Sequence, residues 1–500
     1  MRRLIRKITR WFKSRPSALV LPAIPALIVC AIWVVFAAFI MGWGSAHTEM
    51  RYRQAAGNAV ASRDYETARV AYWRLSQLKS DKRNEYLFGW AMSLLGTGRN
   101  REAEGVLSVL APLDGPGYAE AHMFVAKSLL SSTNAPASMS RLAEAHLLRA
   151  LRDDPSMTEA SSLLGRLYMR MGLWDSAQKY LRETIAARPE DALLLAYVLR
   201  AKGEEEEARG WADRAAKYFA AKVSDTKESD DPGSRIAWAN ALVMLKQHAA
   251  ALSVLETGLQ QTGNPVYRPA LGALYGNWVQ SVVKESPLDY EARFKLVQSG
   301  LQYSAANEFL LQELVTLTRL EGAQSQPAND AVKKMLAEGG NASAILHYFL
   351  GIEAWQLGRK EEAQGHFSIA FEMAPFMPTV ANNLAMILTV GDKPDYERAL
   401  KVIDPIVQKL PQDAQFRSTR GLVLLKLGRY EEAVADLQAS IPRLNNKRSS
   451  RLALAEAYRH LNMKDLADEQ ERLATQTEVR GRETAPAPAP AKSPSATPGN

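Results

Sequence analysis

The feature that most restricts this chain is self-similarity at a spacing of about 34 residues. Three stretches show it in register. The first runs Leu164-Gly165, Tyr168, Gly172, Trp174, Ala177, Leu181 and Pro189. The second runs Leu350-Gly351, Ala354, Gly358, Ala363, Phe367, Ala370 and Pro375, and the third Gly421, Leu424, Gly428, Tyr430, Ala433 and Leu437. A unit of this size has room for two short helices and a turn. Such a pair cannot bury its apolar face alone, so successive units must stack on one another. The chain is therefore expected to be all-α.

Each recurring position has a physical task. The small residue at 165, 351 and 421 lets the first helix, A, approach its partner, B. The glycine at 172, 358 and 428 permits a tight turn through positive φ. Ala177, Ala363 and Ala433 keep the A–B crossing short, while Leu181, Phe367 and Leu437 are expected to fill the gap to the next unit. Pro189 and Pro375 stop helix B. With these residues in register, the chain resembles the tetratricopeptide repeat family, in its membrane-anchored bacterial form. That resemblance implies a right-handed superhelix of helix pairs, an α-solenoid longer than one superhelical turn. Weaker copies extend the array in both directions, from Tyr65, Ala68, Tyr72 and Leu75 at one end to Tyr458 and Ala467 at the other. The expected solenoid covers residues 46–475. An insertion is expected around residues 131–137, and the stretch 264–340 is helical in pattern but poor in register.

The net charge of +8 invites a nucleic-acid reading until it is located. Residues 1–15 carry Arg2, Arg3, Arg6, Lys7, Arg10, Lys13 and Arg15 with no acid. Removing those seven from 62 basic residues leaves 55 against 54 acidic ones. The body is close to neutral, and nucleic-acid binding, which needs concentrated positive charge, is disfavoured. The one cysteine, Cys30, lies in an apolar run, so no disulfide can form within the body and cysteine usage says nothing about compartment.

Residues 18–43 contain no charged side chain. As a helix they would span roughly 39 Å against about 30 Å of hydrocarbon, so an uncleaved transmembrane helix is expected. A cleaved signal peptide ending near Gly44-Ser45-Ala46 is the main alternative, although a signal core runs to only about 7–15 residues. A twin-arginine signal through Arg2-Arg3 is a remoter one. The positive-inside rule places the N-terminus in the cytoplasm and the solenoid across the inner membrane, in a bacterium the periplasm. In the basic arm, residues 1–17, Leu4, Ile5, Ile8, Trp11 and Phe12 fall on one helical face. Arg2, Arg3, Arg6, Lys7, Arg10, Trp11 and Lys13 would then lie on an anionic lipid surface. The bland reading is a basic topology signal. At the other end, residues 476–500 form a tail whose Ala/Pro-rich part, 484–500, is expected to be disordered with polyproline character.

No catalytic or cofactor motif is present: the phosphate-binding, dinucleotide, zinc-protease and serine-hydrolase patterns are all missing. The seven histidines show no metal-ligand spacing and read as surface or packing residues. Glu204–Glu207, Glu361-Glu362 and Glu431-Glu432 follow turn glycines, where carboxylates favour a helix N-terminus. No enzyme activity, metal or cofactor is expected. What remains is the inner groove that the family resemblance implies, where partner peptides bind. The residues on it would be Arg166, Met169 and Arg170; Tyr348, Ile352, Trp355 and Gln356; Asn382, Asn383 and Met386; and Leu422, Leu425 and Lys426. The resemblance also casts Asn382 and Asn383 as clasps for an extended backbone. The competing reading of the aromatic stripe is core packing.

These residues lead to a membrane-tethered scaffold or adaptor for protein partners, serving envelope assembly, secretion or chaperoning. The alternative is an accessory subunit of a membrane enzyme complex, such as polysaccharide export or cytochrome assembly.

Overall fold

The structure is a computed structural model that describes residues 24–131, 137–225, 231–390 and 393–483. Among them there are helices and turns and no strand. The basic arm, with Arg2, Arg3, Arg6, Lys7, Arg10, Trp11 and Lys13, lies outside the described residues, as do 484–500 and most of the insertion expected at 131–137. The chain divides into two compact units, Met1–Ala221 and Lys222–Asn500.

In the first unit, α1 (Ile24–Ala61) pairs with α2 (Tyr65–Ser76), followed by α3 (Arg83–Gly96) with α4 (Asn100–Leu110). Then come α5 (Ala119–Leu130) with α6 (Ala137–Asp153), α7 (Thr158–Arg170) with α8 (Trp174–Thr184), and α9 (Asp191–Ala201) leading to α10 (Glu205–Ser224). The helices pack on their chain neighbours, so burial is local and linear, as stacked hairpins require. The main core of this unit gathers Leu147, Leu164, Leu181, Leu195 and Leu199 with the small Ala126, Ala143, Ala160 and Ala177.

In the second unit α11 (Pro232–Met244) pairs with α12 (His248–Thr262), and the long α13 (Tyr267–Glu285) with α14 (Tyr290–Tyr303). Next come α15 (Glu308–Leu317) and α16 (Gln326–Glu338), both of which pack on α17 (Gly340–Gln356). Four more pairings complete it: α17 with α18 (Lys360–Met373), α19 (Pro378–Val390) with α20 (Tyr396–Lys409), α21 (Ala414–Lys426) with α22 (Tyr430–Ser440), and α23 (Arg448–His460) with α24 (Lys464–Glu483). The stretch 264–340 is thus helical throughout its main elements, but its close approaches sit at new places. A side chain at Gly272 would meet Ser304, and one at Gly300 would meet Tyr275 and Leu310. That displacement explains why its repeat register is hard to see in the sequence.

The turn glycines behave as their spacing predicts. Gly172, Gly358 and Gly428 have φ of +70°, +75° and +75°, a region other residues avoid. Glu205–Glu207, Glu361-Glu362 and Glu431-Glu432 occupy the first turns of α10, α18 and α22. A Cβ at Gly165, Gly351 or Gly421 would lie 2.6–2.8 Å from Leu181, Phe367 or Leu437, respectively. These large residues sit over the small residue of their own hairpin and also share a core with the next one, Leu181 with Leu195 and Leu199, Phe367 with Leu384 and Leu388, and Leu437 with Leu454.

Two boundaries differ from expectation. Helix α1 runs unbroken from Ile24 to Ala61, through Gly44-Ser45-Ala46, and its final turns form helix A of the first hairpin. Helix α24 continues to Glu483, into the expected tail, because 476–483 holds no proline to stop it. Among the described residues no helix is long and apolar enough to cross a membrane. The expected span, 18–43, begins outside the described residues, and the side chains of 37–46 also lie outside them.

Candidate functional site

A concavity in the second unit holds about 900 Å³ and is lined mainly by successive A helices, α17, α19, α21 and α23. Ile352, Trp355 and Gln356 come from α17, Asn382, Asn383 and Met386 from α19, Thr419 and Leu422 from α21, and Ser449 and Ser450 from the start of α23. Gln412 and the loop residues Leu444, Asn445 and Asn446 close one side. Stacking sets this geometry. Helix α19 touches α21 and α21 touches α23, and the Ser418 and Ser450 hydroxyls lie 2.7 Å apart between α21 and α23.

The lining divides by chemistry. One part is apolar, with Trp355 43% exposed beside the partly buried Ile352, Met386 and Leu422. The other is rich in amides and hydroxyls. Asn382 is only 7% exposed, and its carboxamide oxygen has no hydrogen-bond partner among the described residues. Burying such a group unpaired costs roughly 1–3 kcal/mol, which a ligand donor can offset. Two charged residues line the groove, and both are engaged. The Asp413 carboxylate accepts the backbone N–H groups of Gln415 and Phe416 at 2.9 and 3.2 Å, capping α21. The Arg443 guanidinium donates to the backbone oxygen of Gln412 at 3.1 Å and to its side-chain oxygen at 2.9 Å.

The remaining expected residues are distributed differently. Tyr348 lies one helical turn from the groove lining, in a neighbouring recess with Phe309, Phe349 and Met377. Its phenol is pushed up by burial, a shift opposed by hydrogen bonds with Thr379 and Asn383. Tyr348 thus braces Asn383 rather than lining the groove. Leu425 is buried in the core shared by α21–α24. Lys426 points outward and pairs with Glu456 at 3.0 Å. Leu425 and Lys426 share a helix face with Ser418 and Thr419, seven residues back, but lie about 10 Å farther along the axis of α21, outside the lining of the concavity.

Arg166, Met169 and Arg170 belong to the first unit. Arg166 reaches Asp191 at 3.5 Å, Met169 packs against the core, and Arg170 is exposed. Asp191 is wholly buried and also accepts hydrogen bonds from Ser162 and Thr184, which ties α7, α8 and α9 together.

Two histidine pairs escape any reading of the linear pattern. The Nδ1 atoms of His122 and His146 are 2.9 Å apart, and those of His347 and His366 are 3.0 Å apart, each pair bridging the two helices of one hairpin. Separations of 24 and 19 residues match no linear motif; only the hairpin fold joins them. Burial is the main cause that lowers the affinity of all four rings for a proton, taking His122 to about 4. Among the described residues no group of three or more His, Cys, Asp or Glu could hold a metal ion.

Comparison with family models matches the tetratricopeptide repeat at residues 141–200 and again at 391–449. None of the curated proteins matches the chain. Among solved structures it is similar to the Cut9–Hcn1 hetero-tetramer of APC/C, at 13% identity and a TM-score of 0.30, covering 87% of this chain and 95% of that one. It is also similar to Naa15/Naa10 bound to HypK-THB, at 14% identity and a TM-score of 0.27, covering 84% and 67%. MamA, residues 41 to the end, from Desulfovibrio magneticus RS-1 shares 15% identity over 43% of this chain and 98% of that one, with a TM-score of 0.26. The chain therefore carries tetratricopeptide repeats, at 141–200 and 391–449, within an all-α arrangement of stacked helical hairpins.

Proposed function

We propose that this protein is a binding scaffold that holds a segment of a partner protein in the groove of its second unit. The observation that carries the reading is Asn382, a buried amide with an unpartnered oxygen on the floor of an open groove that also presents Trp355. Such a groove offers main-chain hydrogen bonding beside an apolar anchor site, the two parts that recognition of an extended peptide needs. The reading is tested by placing a photo-crosslinking residue at Gln356 in cells and identifying the captured chains. A recurrent protein adduct, lost on Trp355→Ala, supports it. Equal capture with and without Trp355 sinks it.

The scaffold is proposed to be anchored in a membrane, N-terminus inside and hairpins outside, in envelope assembly, secretion or chaperoning. What supports this is the uncharged run at 18–43 behind seven cations. In addition, Ile28, Val29, Ile32, Trp33, Val34, Val35 and Phe36 on α1 are 51–70% exposed. Apolar side chains so exposed along one helix call for an apolar surrounding.

A further inference from the structure

We infer that the loop joining the first two hairpins, with the start of α3, is a phospholipid-headgroup site that lays this end of the first unit on the outer leaflet of the anchoring membrane. This rests on the reading of residues 18–43 as a membrane span and names what the adjoining protein surface binds.

The height of the loop above the membrane follows from α1. That helix is unbroken from Ile24 to Ala61, so no linker separates the uncharged run from the first hairpin. Helix α2 turns back along α1 and brings the loop 77–82 toward the membrane end. Side chains fix its level. The Ser80 hydroxyl donates to the Glu49 carboxylate at 3.2 Å, and the buried Tyr86 of α3 donates its hydroxyl to the same oxygen. Around this tie Leu78, Tyr52 and Tyr72 pack against Leu75 and Tyr86. Glu49 follows Trp43 by six residues, about 9 Å along the helix axis. The headgroup region extends roughly 5–7 Å beyond the hydrocarbon, so long basic side chains at the level of Glu49 reach it.

The loop carries such side chains. Lys79, Lys82 and Arg83, with Arg51 on α1, are exposed, and among the described residues no ion pair holds any of the four. Arg53 adds a fifth cation, close enough to act on Tyr86. Three carboxylates oppose them, Glu49, Asp81 and Glu85, of which Glu49 already accepts from Ser80 and Tyr86. The excess is positive, and cations at this level are drawn to the phosphates of the leaflet.

Tilt brings loop and lipid together. The uncharged run, roughly 39 Å as a helix, exceeds the hydrocarbon thickness of about 30 Å, and tilting absorbs the excess. Basic side chains at the interface set the direction of such a tilt. With Lys79, Lys82 and Arg83 on the side of α2 and α3, α1 leans that way and lowers the loop onto the headgroups.

The test uses the full chain with Cys30→Ser, reconstituted into vesicles of equal parts phosphatidylcholine and phosphatidylglycerol. A bimane label is attached through Gln77→Cys, beside the loop, or through Ser62→Cys, about 20 Å farther along the hairpin. Lipids carrying a nitroxide on the headgroup are expected to quench the label at 77 at least threefold more strongly than the label at 62. The variant Lys79→Glu, Lys82→Glu, Arg83→Glu is expected to lower quenching at 77 to the level at 62, with carbonate resistance and melting temperature unchanged. The neutral variant Lys79→Gln, Lys82→Gln, Arg83→Gln is expected to fall partway, and it carries the test if the acidic one misfolds. Equal quenching of the two labels in a carbonate-resistant chain overturns the site and leaves the anchor standing. Strong quenching at 77 that survives both triple variants shows proximity without recognition, and also overturns it. A chain that carbonate extracts takes down the anchor and the site together.

Discussion

At the scale of single residues, this protein spends its unusual backbone geometry on turns and its buried polar groups on joining helices. Most A–B turns use a glycine at positive φ, but Arg63, Lys246 and Asn462 hold the same conformation at φ of 58°, 60° and 60°. A side chain with Cβ is strained there, so Arg63→Gly, at an exposed turn, is expected to raise stability by about 0.5–1 kcal/mol, read as a higher denaturant midpoint. The histidine pairs impose a pH dependence. His122 faces His146 at Nδ1 and Asp153 3.9 Å from Nε2, with Arg149 and Arg152 also acting on it. Its folded pKa, about 4, is below the unfolded value near 6.5. Above pH 6.5 the ring is neutral in both states and adds no pH dependence. As pH falls from 6.5 toward 4 the unfolded chain takes up the proton first, so stability drops by on the order of 2–3 kcal/mol and then levels off. His347 and His366 act in the same direction, their proton affinity being lowered as well. Melting curves across this window should fall for the unaltered chain and fall less for the double variant His122→Gln, His347→Gln; identical slopes would refute the assignment.

At the scale of elements, helices are started by side chains and locked by ion pairs between neighbours. The carboxylates of Asp64, Asp289 and Asp395 and the side-chain oxygen of Asn307 each accept the N–H three residues on, and so fix where a helix begins. One such network joins α20, α21 and α22. Arg420 donates to both oxygens of Asp436, at 2.6 and 3.0 Å, and to Asp404 at 2.7 Å, while Arg417 stands 3.4 Å from Asp436. Asp436 is buried, and its loss leaves Arg417 without this carboxylate and Arg420 with Asp404 alone. Asp436→Ala is expected to cost about 2–3 kcal/mol, seen as a drop in unfolding midpoint, whereas the exposed Glu456→Ala, which frees Lys426, should cost under about 1 kcal/mol. A second buried pair, Arg293 with Glu313, ties α14 to α15 in the stretch whose repeat pattern is weakest. Polar ties of this kind do not recur with the repeat, so sequence periodicity cannot reveal them.

At the scale of the whole molecule, the proposed attachment has a direct test. The full chain is expected to sediment with membranes and resist alkaline carbonate, while a chain lacking residues 1–43 is expected to stay in the supernatant; a full chain that stays in the supernatant would end the membrane proposal. The sequence by itself determined the fold class, the hairpin unit and the turns, because stacking identical units repeats the same packing demands at fixed spacing. The positive-φ turn glycines 172, 358 and 428 are legible for that reason. The family resemblance pointed to Ile352, Trp355, Asn382, Asn383 and Met386 as groove residues, and these five line one concavity. Tertiary structure alone decided which residues of each helix reach that groove, which is why Tyr348, Leu425 and Lys426 went elsewhere. It alone brought His122 to His146 and His347 to His366, and Arg420 to Asp436 and Asp404. The physical reason is range: periodicity encodes contacts that recur in every unit, whereas a polar pair made once, between two particular helices, leaves no repeating trace in the chain.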